Sequence, residues 1–419
     1  MRGVGRFGPL RERQFRLLWF ARTGSAVGDS LIPVALIWAV GHDLGGRYTG
    51  VGVVLACYTL GGAAVTLAGG VWADRLPRRA VMIGADLVRL GTQSTTAVLL
   101  FAGTAHVWQI AVLQGIAGAA AGCFNPASKA LIPQTVSAGR LQQANALVSL
   151  SRSSTSVFGP GIAGAIVAVA GAGWVFSIDA ASFLFSVLFV GAIRVTPYAK
   201  PAAQRFWRDL AEGWREVRRH RWLTAGFLGY AVGNFGVGMY MVIGSLVAID
   251  HLGGAPAWGL IVGSAAFGGV LGGVVAYRIR PSHPVAMAFA IWTLYALPPF
   301  ALVKPFPLLV VMVTALVFGG SILIGNTLFD TAMQHEVEPG RLARVASIDL
   351  LLSFCLMPAG QVLAGPISAA VGVDATLVLA GTLMCVPNFL VLVFVPGVRS
   401  VRRRDAEPEV EPTAALSAF

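Results

Sequence analysis

Long apolar stretches alternate with short polar segments along almost the whole chain. Each apolar stretch runs for about 20 residues, the length of helix that crosses the roughly 30 Å hydrocarbon core of a bilayer. The pattern therefore predicts an all-α integral membrane protein with twelve transmembrane helices, six in each half. The predicted spans are 16–40, 49–72, 81–103, 106–127, 148–170, 174–193, 224–249, 257–277, 285–303, 306–329, 346–371 and 375–397.

The longest polar interruption lies between the sixth and seventh spans. Its apolar side chains recur on one helical face, at Phe206, Leu210, Trp214 and Val217, which predicts an amphipathic helix lying on the membrane surface. A plain tether is the alternative. The predicted organisation is an N-terminal six-helix half (1–193), a cytoplasmic linker with the amphipathic helix (194–222), a C-terminal six-helix half (223–398) and a disordered cytoplasmic tail (399–419).

Composition supports a membrane protein. Hydrophobic residues make up 56% of the chain and charged residues only 12%, whereas soluble domains carry about 25% charged residues. All four cysteines lie inside apolar stretches, where they act as small hydrophobic side chains and imply no disulfide framework.

The net charge of +12 comes from an uneven placement of basic residues. If both termini are cytoplasmic, 27 of the 31 lysines and arginines fall on cytoplasmic segments, and only Arg47 and Lys304 fall outside. This distribution follows the positive-inside rule for an even number of spans. The basic residues then face the cytoplasm and anionic membrane lipid, so they indicate no nucleic-acid partner. We expect a multi-pass protein of the inner (cytoplasmic) membrane.

Two parts of the chain resemble each other at a constant spacing. Asn125 corresponds to Asn326, and Arg140 to Arg341, each 201 residues apart. An offset near half the chain length indicates two pseudo-symmetric halves that arose by duplication. In transporters, such halves enclose a site near the middle of the bilayer and rock about it.

The segment between the second and third spans, Gly70-Val-Trp-Ala-Asp-Arg-Leu-Pro-Arg-Arg79, resembles the loop signature of the major facilitator superfamily. Pro77 stands where the family usually has glycine. The segments from Phe15 to Trp19 and from Ser25 to Asp29 are similar to the first helix of its enterobactin-exporter-like drug efflux branch. The resemblance implies a twelve-helix secondary transporter, usually a proton-driven exporter of siderophores, macrolides or other drug-like compounds.

Gly159, Pro160 and Gly164 in the fifth span resemble the antiporter signature of the same superfamily. Proline removes a backbone hydrogen bond, so this segment is expected to bend. A simple packing contact is the alternative. Gln114 and Gly115 match the signature of the fourth span, but Ala111 replaces its usual arginine.

Asp29 is the main candidate for proton coupling. It lies in the middle of the first span, where a carboxylate is costly unless it faces a cavity or a cation. Arg22 lies seven residues earlier on the same face, about 10.5 Å away, and as the cation near Asp29 it is the second proton-coupling candidate. The alternative is that Asp29 caps a kink or bonds to a neighbouring helix.

A cytoplasmic gate is expected where charges pair in one state and part in the other, and simple anchoring by positive charge is the alternative. Asp86 and Arg89 can pair at helical spacing. The predicted gate comprises Gly70, Asp74, Arg75, Arg78, Arg79, Asp86 and Arg89.

The seventh span offers candidates for an aromatic substrate pocket, although ordinary helix packing explains such residues equally well. The candidates are Tyr230, Asn234, Phe235 and Tyr240. Asp179 and Asp349 are expected to have structural roles.

These observations predict a monomeric secondary active transporter, with no cofactor, that exports a small-molecule substrate by proton antiport. The substrate would be a drug-like compound, a siderophore or a secondary metabolite. An importer or facilitator on the same fold is the first alternative, and a membrane scaffold or sensor the second. The sequence contains no phosphate-binding loop for ATP, no cluster with metal-ligand spacing and no catalytic arrangement, so an enzyme is not expected.

Overall fold

The computed structural model describes residues 8–72, 77–194, 206–304, 306–338, 341–342, 344–345, 348–349, 351–352 and 356–401. These residues are helical almost throughout. The first half contains α1 (Arg13–Trp38, continued by a π-helical turn to Asp43), α2 (Arg47–Trp72), α3 (Arg78–Phe101), α4 (Val107–Thr135), α5 (Leu141–Ala170) and α6 (Ala172–Gly191).

The second half follows a linker helix, α7 (Phe206–Arg219). Its helices are α8 (Arg221–Leu252), α9 (Gly254–Arg278), α10 (Pro284–Trp292), α11 (Leu297–Val303), α12 (Leu308–Glu336), α13 (Met357–Val371), α14 (Val373–Phe394) and the short α15 (Pro396–Ser400).

The all-helical architecture with membrane-spanning helices is confirmed. Within the described ranges, ten helical segments are long and apolar enough to cross a membrane. The third predicted span is the 24-residue α3, which carries Asp86, Arg89 and Gln93 and is therefore more polar. The eleventh is described in part and ends in α13. The ninth is broken into α10 and α11 by a 3₁₀ turn, ahead of two prolines that lack backbone N–H groups.

The two halves pack closely at one end of the molecule. A β-carbon at Gly164 of α5 would lie 2.7 Å from the Pro256 Cα of α9, and one at Gly263 would lie 2.6 Å from the Val157 carbonyl oxygen. Helices α2 and α13 meet in the same way, where Gly365 abuts Thr49. These close approaches require glycine, because any side chain would push the helices apart.

The opposite end carries α7 and the turn that joins α4 to α5, and we call it the α7 face. There Glu12 accepts hydrogen bonds from the Ser137 backbone N–H at 2.9 Å and from Arg140 at 3.1 Å. In the second half, Arg341 binds Glu216 of α7 at 2.6 Å. Glu12 and Glu216 each precede the first spanning helix of their half, and each binds one of the two arginines that correspond in the sequence repeat. The two halves therefore share this contact as well as the repeated sequence.

Helix α7 forms, but it packs on the second half rather than lying only on a membrane surface. Val217 and Glu216 are buried, and Gly213 abuts the Arg344 backbone. Glu212 also binds Arg344 at 2.8 Å. The tail from residue 402 onwards lies outside the described residues.

Candidate functional site

An ion pair lies near the middle of the first half. Arg89 of α3 donates a hydrogen bond through Nη2 to Asp29 Oδ1, close to the midpoint of α1. The Arg89 side chain is 4% exposed, whereas the Asp29 side chain is 42% exposed. The carboxylate therefore borders an open cavity, and the arginine lies behind it.

Asp29 pairs with Arg89 rather than with Arg22, the second proton-coupling candidate. Arg22 lies two helical turns from Asp29, while Arg89 reaches it from the neighbouring helix. Arg22 lines the same cavity beside Arg152. Within the described residues, Arg22 Nη1 is buried without a hydrogen-bond partner, and neither Arg22 nor Arg152 has an acidic group within 4.0 Å.

The first cavity has a volume of about 290 Å³, and its lining residues run from the midpoint of α1 toward the α7 face. Three arginines and one aspartate line it. Because Arg89 neutralises Asp29, two positive charges remain. Hydroxyl groups complete the wall, among them those of Thr23, Ser151 and Thr155. The cavity thus offers guanidinium and hydroxyl donors to a ligand that is rich in hydrogen-bond acceptors.

A second cavity, of about 350 Å³, lies in the second half. Its wall includes the rings of Tyr230, Trp292 and Phe329, with centroids 5.8 Å apart for the first two and 5.4 Å for the last two. Asp330 and Asp349 are the acidic residues that line it. Aromatic faces and carboxylates suit an apolar body or a cationic group.

Two of the four predicted pocket residues, Tyr230 and Asn234, line this second cavity. Tyr240 does not. It is 2% exposed and packs against Trp258 and Phe318. Phe235 is not among the lining residues, and its backbone carbonyl abuts Gly360.

Sequence reasoning missed Trp292, Phe329 and Asp330 as cavity residues. One signal could have found Phe329 and Asp330, although not Trp292. Asn125 lines the first cavity and its repeat counterpart Asn326 lines the second, so the repeat pointed to both. Phe329 and Asp330 follow Asn326 by three and four residues, which places them on the same helical face.

A buried polar network lies behind the ion pair. Gln93 donates to Asp179 of α6 at 2.9 Å, and Gln114 donates to Gln93 at 3.1 Å. Asp86 accepts a hydrogen bond from Ser186 at 2.6 Å. These side chains are almost fully buried.

Arg89 touches two further groups besides Asp29. Its Nη1 lies 3.9 Å from Asp86 Oδ1, which is the predicted pair at helical spacing. Its guanidinium also lies 3.9 Å from the ring centroid of Phe183, a cation–π contact. Arg89 therefore contacts side chains of α1, α3 and α6 at the centre of the first half.

The remaining gate residues are only partly described. Asp74 and Arg75 lie outside the described residues, and Gly70 falls in the last turn of α2, whose surroundings are not described. Arg78 donates to the Ala130 carbonyl at 2.6 Å, and Arg79 to the Val190 carbonyl at 3.1 Å. Both arginines thus bind carbonyls near the ends of α4 and α6 in their own half.

The glycine–proline element of α5 lies where the halves meet. Gly159 abuts Ser30 of α1, and Gly164 abuts Pro256 of α9. The Pro160 carbonyl lies directly against Gly259 of α9. The element therefore packs against a helix of its own half and a helix of the other.

The chain resembles transporters in sequence along its whole length. The family model of the Major Facilitator Superfamily matches residues 18–359. The multidrug efflux pump Tap of Mycobacterium tuberculosis is 29% identical over 412 residues, covering 94% of this chain and 96% of its own. Macrolide efflux protein A of Streptococcus pyogenes is 23% identical over 408 residues, covering 94% and 97%. The MFS-type transporter YvqJ of Bacillus subtilis is 24% identical over 413 residues, covering 97% of each.

Solved structures share the fold at low sequence identity. The peptide transporter POT in complex with sulfate has a TM-score of 0.72 at 12% identity and covers 96% of this chain and 97% of its own. The nucleoside transporter NupG has a TM-score of 0.71 at 14% identity, covering 90% and 98%.

Proposed function

The chain belongs to the major facilitator superfamily and is a multi-pass membrane transporter rather than an enzyme, and from this premise we propose that it exports a small molecule in exchange for protons. The observation that carries the proposal is the pairing of Asp29 with Arg89 at a cavity near mid-membrane. The named efflux pumps among the relatives support the outward direction. The molecule would be a drug-like compound, a siderophore or a secondary metabolite.

The two cavities border the same boundary between the halves. Thr59 of α2 donates to Gln361 of α13 at 3.4 Å across that boundary. Tyr58, next to Thr59, lines the first cavity, and Met357, one turn before Gln361, lines the second. A bulky molecule held at this boundary would touch donors on one side and aromatic rings on the other.

Alternating access follows from the packing of the halves. Glycine contacts hold α5 against α9 at the end opposite the α7 face, while both cavities lie toward the α7 face. If the α7 face is cytoplasmic, this state receives its substrate from the cytoplasm. Rocking the halves would close that side and separate α5 from α9, which releases the substrate outside.

Proton exchange would act through Asp29. An ionised Asp29 holds Arg89, and a proton on Asp29 cancels the attraction and frees the arginine. The two protonation states thus favour two arrangements of α1 and α3, and a proton shifts their populations. A proton bound from outside and released inside would return the carrier for another substrate molecule.

The proposal is tested with a growth panel followed by everted membrane vesicles. Expression of the gene should raise the inhibitory concentration of a subset of antibiotics, dyes and siderophores, compared with the empty vector. Everted vesicles should accumulate those compounds when their interior is acidified, and nigericin should abolish the accumulation. Greater sensitivity of the cells, or accumulation that ignores the pH gradient, would contradict proton-driven export.

A further inference from the structure

Asp179 is a buried acid that has no role in the proposed cycle of proton exchange and export. It lies in α6 with no solvent exposure. A β-carbon at Gly28 would overlap the Asp179 carboxylate and the Ser182 hydroxyl, so α1 and α6 touch directly beside Asp29. Two carboxyl groups, Asp29 and Asp179, therefore meet on adjacent helices in the middle of the bundle.

One arginine faces three carboxyl groups at this place. Arg89 interacts electrostatically with Asp29, Asp86 and Asp179. It binds Asp29 directly, and its guanidinium lies on the ring of Phe183, one helical turn after Asp179. Tyr58 of α2 also faces Arg89, and Arg152 of α5 acts on Asp29 from the cavity side.

If Asp29, Asp86 and Asp179 were all ionised, three negative charges would face the single positive charge of Arg89. A buried carboxylate without a cation costs several kcal/mol, and such groups normally take up a proton instead. Asp29 is partly open to the cavity and is held by Arg89. Asp179 is closed to solvent, and it accepts hydrogen bonds from the Gln93 amide at 2.9 Å and from the Ser182 hydroxyl at 3.4 Å. A resident proton therefore belongs on Asp179 rather than on Asp29.

We propose that Asp179 is a second proton-binding residue, which holds a proton while Arg89 pairs with Asp29 and loses it when Asp29 is protonated and Arg89 turns to Asp179. The step moves one proton between two carboxyl groups and moves no electrons. It rests on the proposed proton exchange and extends it from one residue to a pair.

The surroundings allow this exchange. A narrow cavity of about 90 Å³ is lined by Asp29, Tyr58, Arg89, Gln93 and Gln114. A volume of that size accommodates about three water molecules at about 30 Å³ each. Gln93 links this cavity directly to Asp179, because its amide donates to that carboxyl. The small cavity therefore offers space for water beside Asp29 and beside the side chain that binds Asp179.

The proton on Asp179 can be observed without any substrate, by infrared spectroscopy of the purified full-length protein in lipid. The reporter is the carbonyl-stretching band of a protonated carboxylic acid near neutral pH. The measurements are made in an Asp86→Asn background, which leaves two acids beside Arg89. Asp374→Asn, at an exposed acid of α14, is the matched control and should leave the band unchanged.

We expect Asp179→Asn to abolish the band and Asp179→Glu to keep it. Asp29→Asn should also abolish it, because Arg89 then pairs with Asp179 and ionises it. Adding Arg89→Gln to Asp29→Asn should restore the band. A band that survives Asp179→Asn, or one that Asp29→Asn leaves at full intensity, would overturn the proposal.

The outcome is independent of whether the protein exports anything. If the growth panel and the vesicles show no export but the infrared band changes as expected, the paired acids are supported and the export proposal is contradicted. If export is driven by a pH gradient but the band is absent, Asp29 acts without Asp179.

Discussion

At the residue scale, Asp29 decides whether transport is coupled to protons. Asp29→Asn keeps the size and hydrogen bonding of the side chain but removes the ionisable group. The variant should lose accumulation driven by an imposed pH gradient in everted vesicles, yet it should still equilibrate the substrate downhill, because the moving halves are intact. Asp43→Asn, at an exposed acid beyond α1, is the control. Uphill pumping at the wild-type rate by Asp29→Asn would make Asp29 structural.

The identity of the arginine that holds Asp29 gives a second prediction. Arg89→Gln leaves the Asp29 carboxylate without its cation, but that carboxylate is partly open to the cavity, so the cost should lie below the about 3–5 kcal/mol of a fully buried pair. It should lower the melting temperature and reduce pH-driven efflux at least tenfold. Arg22→Gln should preserve the coupling, because Arg22 makes no contact with Asp29. Thermal unfolding and vesicle uptake measure both effects, and equal losses in the two variants would contradict the assignment.

At the element scale, the contact between α5 and α9 closes one end of the molecule. Gly164→Val places a branched side chain where the Pro256 Cα would lie 2.7 Å from a β-carbon, so it should force the two helices apart. Gly161→Val is the matched control, because a β-carbon there has no neighbour within 4 Å. Spin labels on α5 and α9 should report a longer distance in the first variant only. An unchanged distance would show that this contact does not hold the closed end.

The docking of α7 depends on the ionised carboxylate of Glu216. Burial acts to raise the pKa of Glu216, but the hydrogen bond from Arg341 and the charges of Arg341, Arg219 and His220 outweigh it and hold the pKa below 4.5. A lowered pKa in the docked state means that the contact is fully present above about pH 4.5 and is lost as the pH falls through the lowered value.

Hydrogen exchange of the α7 backbone measures this docking. Exchange should accelerate as the pH is lowered below about 4.5, after correction for the intrinsic rate. Glu216→Gln should show the faster exchange already at neutral pH, whereas Arg218→Gln, at an exposed position of the same helix, should not. Identical protection in wild type and Glu216→Gln would rule out the ion pair as the anchor.

At the scale of the whole molecule, the distribution of basic residues fixes the expected orientation. Both termini and the α7 face should be cytoplasmic, because 27 basic residues fall on that side and two on the other. An alkaline phosphatase fused after Arg404 should be inactive, and a green fluorescent protein at the same place should fluoresce. Phosphatase activity there would show that the C-terminus is outside, and that the cavities open in the opposite direction to the one proposed.

The sequence alone determined the features that depend on local pattern. The length of each apolar stretch predicted a membrane-spanning helix, because a segment in lipid must satisfy its own backbone hydrogen bonds. The constant offset of 201 residues between Asn125 and Asn326 revealed the two halves. Asp29 stood out because a carboxyl group in the middle of an apolar helix is costly wherever it points.

The tertiary structure decided which residues meet. Arg89 rather than Arg22 holds Asp29, because the partner comes from another helix, and spacing along one helix does not reveal that. Tyr240 packs in the core while Tyr230 lines a cavity, although both are tyrosines on the same apolar helix. Asp179 meets Asp29 because Gly28 lets α1 and α6 touch. Membrane helices are apolar on most faces, so the pattern of one helix does not show which face meets a neighbour, and only the packing of all of them does.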